Sequence, residues 1–269
     1  MYKYLFGFLG CGNMASAIAE SFLAAGKVKP DEILLCDKEI SKTETFAKRG
    51  CGTTSVPSDV TENCRFVFCA VKPQSFSSLC EELSGKINCE VIISIMAGIK
   101  IENIEKALGV KDVSVVRIMP NLACRFGCGV TLVEFNGLNE ASKSVLKNAL
   151  LSMGQLVEIP EKEFNFATSV SGCGPAFFQL FYKYIYDECI KKGFASEVAR
   201  EMVLNTAIGS ATLAKKSDKS FDDLISAVCS KGGSTIEGVS VIKASDMEKI
   251  IATTLEASRK RNEELENLK

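Results

Sequence analysis

No histidine occurs anywhere in the 269 residues. The side chain that most often carries protons near neutral pH is thus missing, and any acid–base step must rest on something else. A zinc site would need four thiolates. The chain has 12 cysteines, yet no C-x-x-C pair, and its only tight pair is Cys124 with Cys128. Several thiols lie inside apolar runs, as Cys69 does in "RFVFCAV". That pattern reads as buried, reduced cysteine and predicts a cytoplasmic protein without a metal. Lysine and arginine number 32 against 33 acidic residues, and no basic stripe recurs, so no nucleic-acid partner is expected. No apolar run approaches the roughly 20 residues of a membrane span, so no membrane partner is expected either. The first residues, "MYKYLFGFLGCGNMASA", have an early lysine, an apolar run and an Ala-x-Ala-like end, which are features of a secretory signal. The run is short, however, and broken by Gly7 and Gly10, which have a better use. A long linker, a low-complexity tract and an internal repeat are all lacking.

What is present is an ordinary globular composition, 46% hydrophobic and 24% charged. Strand-like runs at Tyr4 to Leu9, Glu32 to Cys36, Phe66 to Ala70, Glu90 to Ser94 and Val113 to Ile118 alternate with helical segments. Those segments are Met14 to Ala25, a helix from Ser41, Phe76 to Leu83 and Ile101 to Leu108. The sequence "SKTE" predicts a capping box with Ser41 at the N-cap and Glu44 at N3. "GVTLVEF", a helix from Glu140 and "QLVEI" complete this part. Continuous β-branched runs alternating with helices predict a parallel sheet covered on both faces. After Pro160 only helical signals remain. The expected fold is α/β: a Rossmann-type doubly wound sheet over residues 1–160, followed by an all-helical domain over 161–269.

Directly after the first strand comes "FLGCGNMA", that is, Gly10-x-Gly12-x-x-Ala15 at a helix start. Gly10 permits a tight turn, Gly12 lets a pyrophosphate approach the backbone, and Ala15 allows close helix–sheet packing. The reading predicts dinucleotide contacts from Leu9, Gly10, Cys11, Gly12, Asn13 and Met14. Asp37 ends the second strand, where a carboxylate accepts from ribose hydroxyls and tilts the choice toward NADH; the adjacent Lys38 tilts it back. "AVKPQ" from Ala70, "SIMAG" from Ser94 and "RIMPN" from Arg117 also follow strands. On their own these turns say little.

A loop reading "AVCSKGGSTIEGV" runs from Ala227 to Val239. Its glycines turn the chain, and its backbone N–H groups, at the start of the next helix, suit a carboxylate. Together with "SVSGCGPAF" from Ser169 and the motifs above, this loop resembles the pyrroline-5-carboxylate reductases, which make L-proline. The matching pieces run in order along nearly the whole chain. Departures are Lys231 where the family usually has proline, Ser234 for its first threonine, Asp218 for a glutamate before the loop, and "LACRFG" after "MPN".

The resemblance implies an NADPH- or NADH-dependent reduction of 1-pyrroline-5-carboxylate. It places the coenzyme against Ala70, Val71, Lys72, Pro73, Ala97, Gly98, Pro120 and Asn121 as well. It assigns the substrate to Val228, Ser230, Gly232, Gly233, Ser234 and Thr235. It also implies self-association as an interlocked dimer and a ring of dimers, and the apolar "PAFFQLFYKYIY" supports that. An imine nitrogen is basic enough to take its proton from water, so a histidine is not required. A hydroxyl suffices to orient it, and Thr235 is the candidate. Two rival readings remain: a hydroxyacid-type dehydrogenase using Lys183, and a non-catalytic dinucleotide sensor.

Overall fold

In the computed structural model, which describes residues 2–110 and 112–266, strands and helices alternate over the first part of the chain. They are β1 (Tyr4–Leu9), α1 (Asn13–Ala24), β2 (Ile33–Cys36), α2 (Glu44–Ala47), β3 (Gly52–Thr54), α3 (Pro57–Asn63), β4 (Cys64–Cys69) and α4 (Phe76–Leu83). Then come β5 (Val91–Ser94), α5 (Ile101–Leu108), β6 (Ser114–Pro120), β7 (Gly129–Glu134), α6 (Glu140–Leu150), β8 (Gly154–Glu158) and α7 (Phe164–Ser171). The strands form one sheet in the order β3-β2-β1-β4-β5-β6-β7-β8.

The central strands are largely apolar on both faces, with Arg65 in β4 and Arg117 in β6 as charged exceptions, because both faces are covered. From β1, Phe6 and Phe8 point to one side, where they meet Phe22 of α1 and Phe66 and Phe68 of β4. The Phe8 and Phe68 rings stack 4.7 Å apart, one of several aromatic pairs worth about 0.5–1.5 kcal/mol each beyond their burial. On the other face Leu9, Val67 and Ile92 pack against Val60, Leu79, Leu83 and Ile104 from α3, α4 and α5. Gly7 faces this side, and a Cβ there would come 2.5 Å from Val60 Cγ1, so α3 lies directly on the strand.

The structure departs from the sequence expectation in particular places. The sheet is not wholly parallel: β6 and β7 pair antiparallel, with Pro120 opposite Thr131. Only residues 121–128 connect them, too few for the crossover that parallel neighbours need. The capping box at Ser41 does not form. A 3-10 turn over Ile40–Thr43 precedes α2, and the Ser41 hydroxyl donates instead to Glu39 Oε1 at 3.3 Å. The short elements β3, α3 and α7 are additional.

Contacts divide the chain after Cys173 and again after Glu256, with residues 257–266 belonging to the first unit. The second unit, residues 174–256, contains α8 (Gly174–Lys191), α9 (Ser196–Lys216), α10 (Phe221–Val228), α11 (Ser234–Lys243) and the first half of α12 (Met247–Glu266). Within it only Gly174, Ala199 and Val203 are buried. Large apolar side chains such as Phe178, Phe181, Tyr184, Ile208 and Val241 are exposed. Among the described residues no helix is long and apolar enough to cross a membrane.

Candidate active site

The first unit carries its candidate site where the strands end. Gly10 sits at φ +96°, and a Cβ there would lie 2.9 Å from the Ala70 carbonyl oxygen. Its N–H donates to Cys36 O at 2.8 Å, and Ala70 N–H donates to Leu9 O at 2.9 Å, so three strand ends are tied together. At Gly12, the residue before α1, an added Cβ would meet nothing within 4 Å. No side chain caps that helix. Open space before an uncapped helix N-terminus is what a pyrophosphate needs, so these residues fit a dinucleotide.

The β2 turn is internally braced. Asp37 Oδ2 accepts from Cys11 N–H at 2.8 Å, and its Oδ1 accepts from Glu39 N–H at 2.9 Å. Lys42 Nζ lies 3.5 Å from Asp37 and 2.9 Å from Glu39. That ammonium holds the Glu39 carboxyl below its ordinary range, and the Glu39 contact in turn raises Lys42. A cleft of about 310 Å³ lies between the turns. It is lined by Leu9, Gly10 and Gly12, by Asp37 and Lys38, and by Ala70, Val71 and Lys72, all expected from the sequence.

Lys42, Ser75, Ser78 and Glu82 also line the cleft and were not expected. Lys42 sits at the position i+4 from Lys38, a spacing that could have flagged it. Burial pushes the Cys36 thiol, at the cleft floor, up to about 12, so it is a neutral wall rather than a nucleophile. Among the described residues no cluster of three metal-ligating side chains occurs.

Other expected residues lie off this cleft. Cys11 is buried behind the turn, its Sγ donating to Lys42 O at 3.4 Å. Asn13 and Met14 open α1, and Pro73 starts the 3-10 turn Pro73–Ser75. Ala97 and Gly98 follow β5, and Pro120 and Asn121 end β6, further along the same sheet edge. Gly98, at φ +74°, is pressed against the end of α12: a Cβ there would come 2.7 Å from the Leu265 carbonyl carbon. Asn121 Nδ2 donates to Ser171 O at 3.0 Å, while its Oδ1 is buried without a partner.

In the second unit, the loop between α10 and α11 has Gly232 at φ +74° and Gly233 N–H donating to Ser230 O at 3.0 Å. Helix α11 starts at Ser234, one residue before the expected start, and Gly233 at its N-cap position leaves it without a side-chain cap. Ser234 and Thr235 therefore occupy its first turn, both exposed, and Val228 ends α10 in an exposed position. Lys183, the candidate of the hydroxyacid reading, pairs on the surface with Asp187 at 2.5 Å.

Comparison with known proteins decides between the readings. The sequence profile described as pyrroline-5-carboxylate reductase dimerisation matches residues 161–265. The pyrroline-5-carboxylate reductase of Aquifex aeolicus is 36% identical over 259 residues, covering 94% of this chain and 96% of that protein. The chain belongs to the pyrroline-5-carboxylate reductase family. Pyrroline-5-carboxylate reductase 3 of Danio rerio is 31% identical, covering 99% of this chain and 93% of that one.

The crystal structure of the Plasmodium falciparum pyrroline carboxylate reductase with NADP bound superposes with a TM-score of 0.89 at 28% identity, over 99% of both chains. A pyrroline-5-carboxylate reductase structure from Coxiella burnetii gives 0.89 at 27% identity over 98% of each. A second profile, described as NADP oxidoreductase, coenzyme F420-dependent, matches residues 5–98. Those residues cover the glycine turn and most of the cleft. In this reductase the dimerisation profile opens at residue 161, whereas the contact division falls after Cys173.

Proposed function

We infer that this reductase converts 1-pyrroline-5-carboxylate to L-proline with NADPH or NADH, and that it does so as a self-associated enzyme. The observation that carries the reading is the pairing of a strained glycine turn at Gly10 with open space at Gly12, on a chain matching pyrroline-5-carboxylate reductases over almost its full length. When bound, the dihydronicotinamide supplies a hydride to the imine carbon. The chain's own part is to bind and align. Gly10, Gly12 and the N-terminus of α1 seat the phosphates, with Leu9, Cys11, Asn13 and Met14 shaping the turn. The turns at Ala70–Pro73, Ala97–Gly98 and Pro120–Asn121 border the nicotinamide side.

The loop from Val228 through Ser230, Gly232, Gly233 and Ser234 offers N–H groups to the substrate carboxylate, each such bond contributing about 1.5–3 kcal/mol. The Thr235 hydroxyl orients the imine nitrogen, which takes its proton from water, so a chain without histidine suffices. Alignment supplies most of the acceleration.

NADPH is the preferred coenzyme in this proposal. The Asp37 carboxylate already accepts from Cys11 and Glu39 and lies beside Lys42. Those contacts compete with a ribose diol for the carboxylate lone pairs, while Lys38 and Lys42 line the same cleft and suit a 2′-phosphate.

Self-association is supported by the matched dimerisation profile and by the exposed apolar helices of residues 174–256. An interlocked dimer, with residues 161–269 serving both substrate and partner, and a ring of dimers are the proposed assembly. The free thiols, most of them buried, support a reducing cytoplasm as its setting. The test is oxidation of NADPH and NADH with the cyclic imine, with 3-hydroxy-acid or keto-acid pairs, and with neither. Turnover with the imine alone is expected. Turnover driven only by the acid pairs would overturn the assignment.

A further inference from the structure

Arg117, in the middle of β6, is the bulkiest of the fully buried side chains. A charge removed from water requires partners, and Arg117 has two carboxylates. Its Nη1 donates to Glu161 Oε1 at 2.9 Å, and Nη1 and Nη2 each reach Glu266 Oε1 at 3.3 Å. The Phe164 ring lies 5.0 Å beneath the guanidinium. A well-packed apolar side chain at this position would stabilise a strand as well or better. Stability alone therefore does not explain a buried guanidinium held between two part-exposed carboxylates.

The partners of the triad explain it better, because all of them converge on one turn. The segment between β5 and α5, residues 95–100, begins at Ser94, which pairs in register with Arg117. It ends at Ile101, whose N–H donates to the same Glu161 oxygen at 2.9 Å. Midway, Gly98 is pressed against the backbone of Leu265, the neighbour of Glu266. Lys100 Nζ lies 3.9 Å from the other Glu266 oxygen. One turn earlier on α12, Asn262 Nδ2 donates to Asn165 O at 2.9 Å and holds the helix end down. Three residues beyond Arg117, β6 ends at Pro120, and Asn121 follows it. Two of the three turns that border the nicotinamide side, at Ala97–Gly98 and Pro120–Asn121, are thus tied to one guanidinium.

We propose that Arg117, acting through Glu161 and Glu266, is a positioning residue. It holds the end of α12 against the Ala97–Gly98 turn and so fixes the wall that meets the nicotinamide half of the coenzyme. The inference rests on reading this strand edge as the dinucleotide site. It places the Asp37 side of the cleft outside the triad's reach, so the two halves of the coenzyme respond differently when the triad is weakened.

The test compares NADPH with 2′-phospho-ADP-ribose, the same molecule without its nicotinamide ring, in binding titrations of wild type, Glu266→Gln and Glu266→Asp. Glu266→Gln preserves shape and removes the charge; its expected effect is a roughly tenfold weaker NADPH dissociation constant, as for one lost charge-assisted contact. The ring-less ligand is expected to bind within about twofold of wild type, and Glu266→Asp, which keeps the charge, to recover much of the NADPH affinity. Parallel weakening of both ligands, no weakening of either, or no recovery with aspartate would each overturn the proposal. Failure of both ligands to bind the wild type would overturn the dinucleotide reading itself.

Discussion

Two neighbouring glycines allow folding and coenzyme binding to be separated. Gly10 has φ +96°, and its missing Cβ would lie 2.9 Å from a backbone oxygen that cannot swing aside. Alanine there costs about 1–2 kcal/mol for the left-handed backbone. Relief of the clash also stretches the 2.8 Å bond from Gly10 N–H to Cys36 O, worth about another 0.5–1.5 kcal/mol. A loss of about 1.5–3.5 kcal/mol lowers the melting temperature by roughly 3–14 °C in a chain of this size.

Gly12 is the reverse case. Its backbone, at φ −79° and ψ −174°, suits any residue, and an added Cβ meets nothing within 4 Å. Gly12→Ala therefore folds with a melting temperature within about 2 °C of wild type. The methyl group nevertheless stands where the pyrophosphate approaches the helix. Loss of one charged hydrogen bond, about 1.5–3 kcal/mol, weakens coenzyme binding roughly 10- to 150-fold. Thermal melting and NADPH fluorescence titration of both variants make the comparison. A Gly12→Ala protein that binds NADPH like wild type, or that melts as early as Gly10→Ala, would refute the site.

Thr235→Ala is expected to keep measurable turnover, its kcat falling by no more than about 10²–10⁴-fold, the range for a lost proton-handling partner; a folded but wholly inactive variant would show that the hydroxyl does more than orient. Gly233→Val crowds only Ser230, its hydroxyl and, at 3.2 Å, its carbonyl oxygen, so steady-state kinetics should show a raised KM for the imine and an unchanged one for coenzyme. Lys42→Glu should lower kcat/KM for NADPH by about tenfold or more while NADH changes little, as expected for one lost charge-assisted contact; equal effects on both would reject Lys42 as the selecting residue. Burial pushes the Cys69 thiol from 9.0 to about 12. The folded state therefore keeps a proton that the unfolded chain releases, and this contribution is complete below pH 9 and lost as the pH rises toward about 12. Melting curves across that range should fall more steeply for wild type than for Cys69→Ala, and identical slopes would disprove the account.

The strands from β1 to β8 were legible, apart from β3, because each has a core of apolar, often β-branched residues, interrupted only singly as by Arg117 in β6, and is bounded by turn residues. The exception, β3, has only three residues, Gly52 to Thr54, too few to show a period. The helix α3 had a signal in Pro57 at its first turn, but its polar stretch "SDVTEN" hid it. The antiparallel pairing of β6 and β7 was readable in principle from their short connection. In the site, the residues of the glycine turn and the Ala70–Lys72 turn were legible because their neighbours in sequence are their neighbours in space. The bracing of Asp37 by Cys11 was not, since 26 residues separate them. The packing of Gly98 on Leu265 was hidden for the same reason. "SIMAG" shows that a turn must exist without showing which distant helix end rests on it.

Residues 174–256 keep almost none of their apolar side chains from solvent within a single chain. On the proposed assembly, the order of the Gly232–Gly233 loop then depends on the population as well as on one molecule. Serial dilution should soften this unit while the sheet stays intact. On the proposed reading, a lone copy would keep its grip on coenzyme after loosening its hold on the ring to be reduced.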